Sequence, residues 1–238
     1  MALPKINALP KYELKVPSTG ETVRYRPFLV KEEKVLMMAM ESGEPRAALN
    51  AIFDTVNACV HEKTFTKKEL IPADVEYMFL QIRAKSVGET SKVMMKCSSC
   101  ETSNEVTINL QEVNVTGKEA DPVIKLTDDI SVKMKHPSFS DIVDSGITPE
   151  NANNIDMIFK LIAKAMESVM TEDENVLVAD QPEGEIIDFL ESLNTQQFTK
   201  IKEYIESVPQ VRYHLEFTCS SCGHDNQREI TGIANFFS

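Results

Sequence analysis

The chain has 238 residues, 42 % hydrophobic and 26 % charged, and its 37 acidic against 25 basic side chains leave a net charge of −12. That length makes one or two domains able to bury a core unaided, and the composition is that of an ordinary soluble globular protein. No cationic run offsets the repulsion of phosphate backbones, no apolar stretch nears the roughly 20 residues of a bilayer span, and the first residues lack the apolar core of a secretory leader.

In chain order, Tyr12 to Val16 and Thr22 to Tyr25 flank a turn at residues 17–20 and predict a hairpin. Leu29 to Met40 turns helical and stops at Gly43, and a second helix opens at Pro45, a residue suited to the first helical position. Its Leu49, Ile52, Phe53, Val56 and Val60 recur at three and four, so they share one face. A third helix runs from Ala73 to about Val87, with Val75, Phe79, Ile82 and Val87 inward and Gly88 as its stop. Met37, Met38 and Met40 are expected as adaptable core filling.

Further on, Ser138 with Asp141 forms a capping pattern for a short helix to Asp144. Residues 151–170 read as one helix with Ile155, Ile158, Ile162, Met166 and Val169 on a stripe. Val176 to Val178 reads as a short edge strand. Glu183 to Leu193 and Gln196 to Ile205 form a helical pair ended by Val208-Pro209. Charge is unevenly spread, for residues 137–209 carry 4 basic and 15 acidic side chains. Such a block is either a solvated helical surface or a surface that steers a basic partner.

The sharpest signal is a duplication. Val93-Met-Met-Lys-Cys97-Ser-Ser-Cys100-Glu-Thr-Ser-Asn104-Glu-Val-Thr-Ile108 aligns without gaps to Leu215-Glu-Phe-Thr-Cys219-Ser-Ser-Cys222-Gly-His-Asp-Asn226-Gln-Arg-Glu-Ile230. Each copy is a strand, a Cys-x-x-Cys turn, a polar link ending in Asn, and a second strand. Two residues between cysteines let both thiolates reach one ion, and two such turns supply the four ligands of a closed tetrahedral zinc site. Cys97, Cys100, Cys219 and Cys222 are therefore the candidate metal ligands, holding one structural zinc. In a reducing compartment this pattern favours metal over a disulfide framework. A thioredoxin-type pair would precede a helix, and a zinc deaminase would need His-x-Glu and Pro-Cys-x-x-Cys, which are missing. An iron–sulfur cluster takes the same four thiolates, but the hairpin setting favours zinc. His224 has no counterpart at Thr102 and reads as a surface residue.

No catalytic constellation accompanies the cysteines. His61-Glu-Lys-Thr-Phe65 starts like HExxH but has Phe where the second histidine must stand, and there is no phosphate-binding loop, dinucleotide fingerprint or nucleophile elbow. The four histidines are scattered, and Cys59 on an apolar helix face reads as an inert core thiol. No catalytic residue is assigned, and the protein is expected not to be an enzyme.

Several dispersed runs carry a family resemblance. Residues 9–19 (Leu-Pro-Lys-Tyr-Glu-Leu-Lys-Val-Pro-Ser-Thr), residues 24–34 (Arg-Tyr-Arg-Pro-Phe-Leu-Val-Lys-Glu-Glu-Lys) and Asp74-Val-Glu-Tyr-Met-Phe-Leu-Gln-Ile-Arg-Ala-Lys-Ser-Val-Gly-Glu89, followed by the two cysteine pairs, resemble the T-even-type phage baseplate hub proteins. The resemblance implies a non-enzymatic role in contractile-tail morphogenesis, as a hub subunit or hub-assembly factor. Its partners would be other hub and tail proteins, in the host cytoplasm during assembly and in the virion tail baseplate. The alternative is a zinc-ribbon nucleic-acid-binding or transcription-associated module, for which only Lys92, Lys96, Arg212 and Arg228 lie near the cysteines.

The fold class expected is α+β: helical segments with a small β-hairpin zinc-knuckle module resembling a zinc ribbon. Three regions follow. Residues 1–90 form an N-terminal hairpin and helices, residues 91–136 and 210–238 a discontinuous β-rich zinc module, and residues 137–209 an acidic helical insertion.

Overall fold

The computed structural model describes residues 9–117, 120–147 and 154–237. The fold is mixed α and β, in two compact units. The first comprises the chain up to Thr66, Ala73–Thr116 and the segment from Gln210 onward; the second comprises Lys67–Pro72 and Gly117–Pro209.

In the first unit, β1 (Tyr12–Lys15) pairs antiparallel with β2 (Thr22–Tyr25), Leu14 opposite Val23. The turn closes on Gly20, whose φ of 71° suits glycine and whose N–H donates to the Val16 carbonyl. Helices α1 (Val30–Glu41), α2 (Pro45–Cys59) and α3 (Pro72–Ser86) follow. Pro45 starts α2; of the expected face Ile52, Phe53, Val56 and Val60 are buried and Leu49 is half-buried, with Ala51, Thr55 and Cys59 buried beside them. Tyr25 bridges to Val60 and the Arg26 N–H donates to the Cys59 carbonyl, tying the hairpin to the end of α2. The buried Asp74 of α3 accepts from the backbone N–H and hydroxyl of Ser18, at 2.8 and 2.5 Å.

Two expectations fail in this region. Met37, Met38 and Met40 are exposed, and only Glu32 and Leu36 of α1 are buried. Residues 35–40 are apolar throughout, so the helical period could not say which side faces inward. Val87 is also exposed, because α3 ends at Ser86, one residue earlier than expected. Beyond it β3 (Thr90–Lys96) and β4 (Ser103–Asn109) form a two-stranded hairpin, and β5 (Asn114–Thr116) leads to the second unit.

The second unit holds a sheet of β6 (Val123–Lys125), β7 (Ser131–Met134), β8 (Met166–Met170) and β9 (Asn175–Leu177), antiparallel and in that order. Its helices are α4 (Phe139–Ser145), α5 (Ile155–Ala165), α6 (Glu183–Glu191) and α7 (Thr195–Ser207). Ser138 and Asp141 form the expected capping box of α4, and Asn194 with Gln197 forms one for α7. Val132, Met134, Ile162, Ala165, Met166, Leu190 and Ile201 make the core between sheet and helices.

The helix expected over 151–170 is shorter. Residues 151–153 lie outside the described residues, α5 ends at Ala165, and residues 166–170 are strand β8. Met-Glu-Ser-Val-Met shows no two-residue alternation of apolar and polar side chains, and pairing with β7 on one side and β9 on the other decides in favour of strand. Ile155, placed on the inward stripe, is exposed. The regional division also differs: β6 and β7, expected beside the cysteine hairpins, lie in the second unit, where β6 pairs with β7 and β7 with β8.

The chain then returns to the first unit as β10 (Gln210–Thr218) and β11 (Asp225–Thr231), giving a sheet ordered β11-β10-β5. Thr116 lies opposite Gln210 in the β5–β10 pair. The next residue, Gly117, packs so tightly that a Cβ would stand 2.9 Å from the Pro209 Cα and N and the Ser207 carbonyl oxygen. Leu80 and Ala84 of α3, Val93, Ile108, Val211, Leu215, Ile230 and Phe236 form the core beneath both cysteine hairpins. Among the described residues no helix is long and apolar enough to cross a membrane.

Candidate metal centre

The two Cys-x-x-Cys units sit at the tips of the β3–β4 and β10–β11 hairpins, and the turns are built alike. The Cys97 N–H donates to the Thr102 carbonyl and the Glu101 N–H to the Cys97 carbonyl, at 2.9 and 3.0 Å. In the other hairpin Cys219 N–H donates to the His224 carbonyl and Gly223 N–H to Cys219, at 2.8 and 3.0 Å. Both turns need a left-handed residue, supplied by Glu101 (φ 58°) in the first and Gly223 (φ 70°) in the second. Only the second copy carries the residue that adopts this conformation without a steric penalty.

The hairpins bring all four cysteine sulfurs within 4.8 Å of one another. Across the hairpins, Cys97 Sγ is 3.7 Å from Cys222 Sγ and Cys100 Sγ is 3.6 Å from Cys219 Sγ. A tetrahedron with metal–sulfur bonds of about 2.3 Å has edges of about 3.8 Å, so these spacings fit a single four-thiolate ion. Cys97 and Cys219 are buried, while Cys100 and Cys222 lie at the surface.

Two asparagines bind the hairpins to each other. Asn104 of β4 accepts through Oδ1 from the Ser220 N–H and hydroxyl, both at 2.9 Å, and its Nδ2 donates to Cys219 Sγ at 3.6 Å. Asn226 of β11 does the same in reverse, accepting from the Ser98 N–H and hydroxyl at 2.8 and 2.9 Å and donating to Cys97 Sγ at 3.6 Å. Each asparagine thus holds the cysteine turn of the other hairpin. Both are buried. Such contacts fix the orientation of metal ligands and tune their basicity.

The N–H groups around the sulfurs favour thiolate. Backbone N–H groups of Cys222 and Ser221, with the Asn104 amide, bring the Cys219 thiol down to about 6. Burial works to raise Cys97, but the N–H groups of Cys100 and Ser99 and the Asn226 amide bring it down overall. Cys222 is pushed up to about 12: the His224 N–H acts to lower it, but the neighbouring cysteine sulfurs and burial outweigh that effect. Four sulfurs this close cannot all carry charge unless a cation sits among them.

The four cysteines singled out from the sequence are therefore brought together. The ring of His224 is exposed, and its backbone carbonyl, not its imidazole, serves the turn. Cys59 is remote in the chain, fully buried, and pushed up to about 11 chiefly by that burial. Sequence reasoning assigned no role to Asn104, Asn226, Ser98 or Ser220. Their repetition at equal places in both copies was the available signal, but repetition does not reveal that each contact crosses to the other hairpin.

The geometry defines a mixed α/β protein organised around a closed cluster of four sulfurs, able to take one metal ion and leaving no ligand position open. The chain matches the family described as T4 bacteriophage base plate protein over residues 9–238, and it belongs to that family. It is a T4-type phage baseplate protein. No curated protein and no solved structure matches it.

Proposed function

We propose that the chain is a non-enzymatic structural or assembly protein of the contractile tail, acting in the baseplate hub by protein–protein docking and held in shape by one structural zinc. The observation that carries this reading is the reciprocal four-cysteine cluster in a member of the baseplate family. With four thiolates such a site has no position for water or substrate, so its metal contributes to folding. The cluster joins sulfurs 119 positions apart in sequence, which makes it a long-range closure of the first unit. The hub assignment rests on the runs at 9–19, 24–34 and 74–89. Assembly would proceed in the host cytoplasm, with other hub and tail proteins as partners.

The nucleic-acid alternative finds little support in the charges. Of the four cations near the cysteines, Lys92 pairs with Glu105 and Arg212 with Glu229, both at 2.7 Å. Such a surface lacks the basic stripe that phosphate recognition requires.

Affinity capture of the tagged chain from infected cells at moderate salt tests the role. Baseplate proteins recovered in fixed ratio support it, and the ratio separates hub subunit from assembly factor; nucleic acid or polymerase subunits would overturn it. Elemental analysis of the purified chain should find one zinc, and Cys97→Ser should unfold or aggregate the first unit. A melting transition unchanged after chelation contradicts the structural role of the metal.

A further inference from the structure

Helix α1 turns toward solvent a face that the packing of the first unit does not use. Val30, Lys34, Met37, Met38 and Glu41 follow one another at helical spacing, on the side opposite buried Glu32 and Leu36. Val30 is 80 % exposed, Met37 57 % and Met38 59 %. Several large apolar side chains gathered on one exposed helix face mark an interaction site, and methionine is the residue that adapts best to a partner there.

The charges along this stripe indicate what covers it. Lys34 stands one turn before the methionine pair and Glu41 one turn after it. A parallel copy in register would set lysine against lysine and glutamate against glutamate. An antiparallel copy sets each lysine against a glutamate. We propose that this face is self-complementary and joins two copies of the chain across a two-fold axis passing between Met37 and Met38. The four methionines meet at the axis, and each Lys34 lies against Glu41 of the second copy. A two-fold contact of this kind repeats every favourable pair twice. With 12 residues, α1 is about 18 Å long, so the interface is small and the dimer forms and dissociates with concentration. This pairing depends neither on the metal nor on the hub reading.

Sedimentation of the full chain from micromolar to millimolar concentration, at low salt, tests it. The unaltered chain should pass from monomer to dimer. Lys34→Glu alone places two glutamates against each other at both ends of the contact, and Glu41→Lys alone does so with lysines. Each should weaken the dimer by on the order of tenfold, from the worth of two exposed ion pairs turned to repulsion. An equimolar mixture of the two single variants should dimerise again, because each glutamate then faces a lysine, and the double variant K34E/E41K should dimerise by itself. Both positions are exposed, so far-UV circular dichroism should stay unchanged. A chain that remains monomeric throughout, as it would if a different baseplate protein covered α1, overturns the proposal. So does a dimer indifferent to Lys34→Glu, or a mixture that fails to recover.

Discussion

Replacing Asn226 by alanine tests the reciprocal lock most directly. The substitution removes the Oδ1 that accepts from the Ser98 N–H at 2.8 Å and its hydroxyl at 2.9 Å, and the Nδ2 that donates to Cys97 Sγ at 3.6 Å and to the His224 carbonyl at 3.0 Å. Asn226 is only 3 % exposed, so water cannot readily replace it. A donor left unpaired in such a place costs about 1–3 kcal/mol. Loss of a contact that orients a metal ligand lowers affinity about 10–100-fold, equivalent to about 1.4–2.8 kcal/mol. The two routes agree. Zinc affinity of the full chain, measured in competition with a chromophoric chelator, should therefore fall within that range while the helical signal is kept. Asn104→Ala should cost a similar amount, since it removes the matching bonds to Ser220 and Cys219. A folded Asn226→Ala chain that binds zinc as tightly as the unaltered one would refute the idea that these asparagines hold the site.

Three further outcomes follow from single groups. Glu101→Gly should stabilise the chain by about 0.5–1 kcal/mol in urea unfolding, the relief of a left-handed non-glycine residue less the added freedom of the unfolded chain. Glu32 accepts from Arg26 Nη2 and the Leu29 N–H, both at 2.8 Å; burial raises its carboxyl, but these donors outweigh burial and hold it below its usual 4.5. Its stabilisation is therefore complete above that value and fades as pH falls through the lower folded one. Glu32→Gln should cost about 2–4 kcal/mol at pH 7, and much less in acid, in paired unfolding curves. Burial pushes Glu76 up to about 7 against the N–H of Ile233, while the unfolded chain releases that proton near 4.5. Stability from this group falls as pH rises between those values, so Glu76→Gln should raise stability at pH 8 by about 1–3 kcal/mol and flatten the slope.

Features carried by local chemistry were legible in the sequence. The β1–β2 hairpin, most of the stripe of α2, the capping residue Ser138 and the paired cysteines each depend on neighbours a few positions away or on an evident repeat. What escaped depends on distant partners. Met166–Met170 lacks the alternation that marks a strand, and its two flanking strands make the choice. Val123–Lys125 and Ser131–Met134 are short strands whose unit is set by β8, some thirty residues on, and nothing local announces it. The direction of Met37 and Met38 could not be read from a segment apolar on every side. At the metal centre the ligands were visible from spacing, while the crossing of Asn104 and Asn226 required the hairpins to be seen face to face.

The pairing of Thr116 with Gln210, followed at once by the close packing of Gly117 against Pro209, makes β5 and β10 a hairpin whose turn has been replaced by a folded body. The strand register on either side is fixed before that body begins and after it ends. Its entry and exit therefore lie side by side, so a change of length within residues 117–209 need not alter the register of β5 on β10.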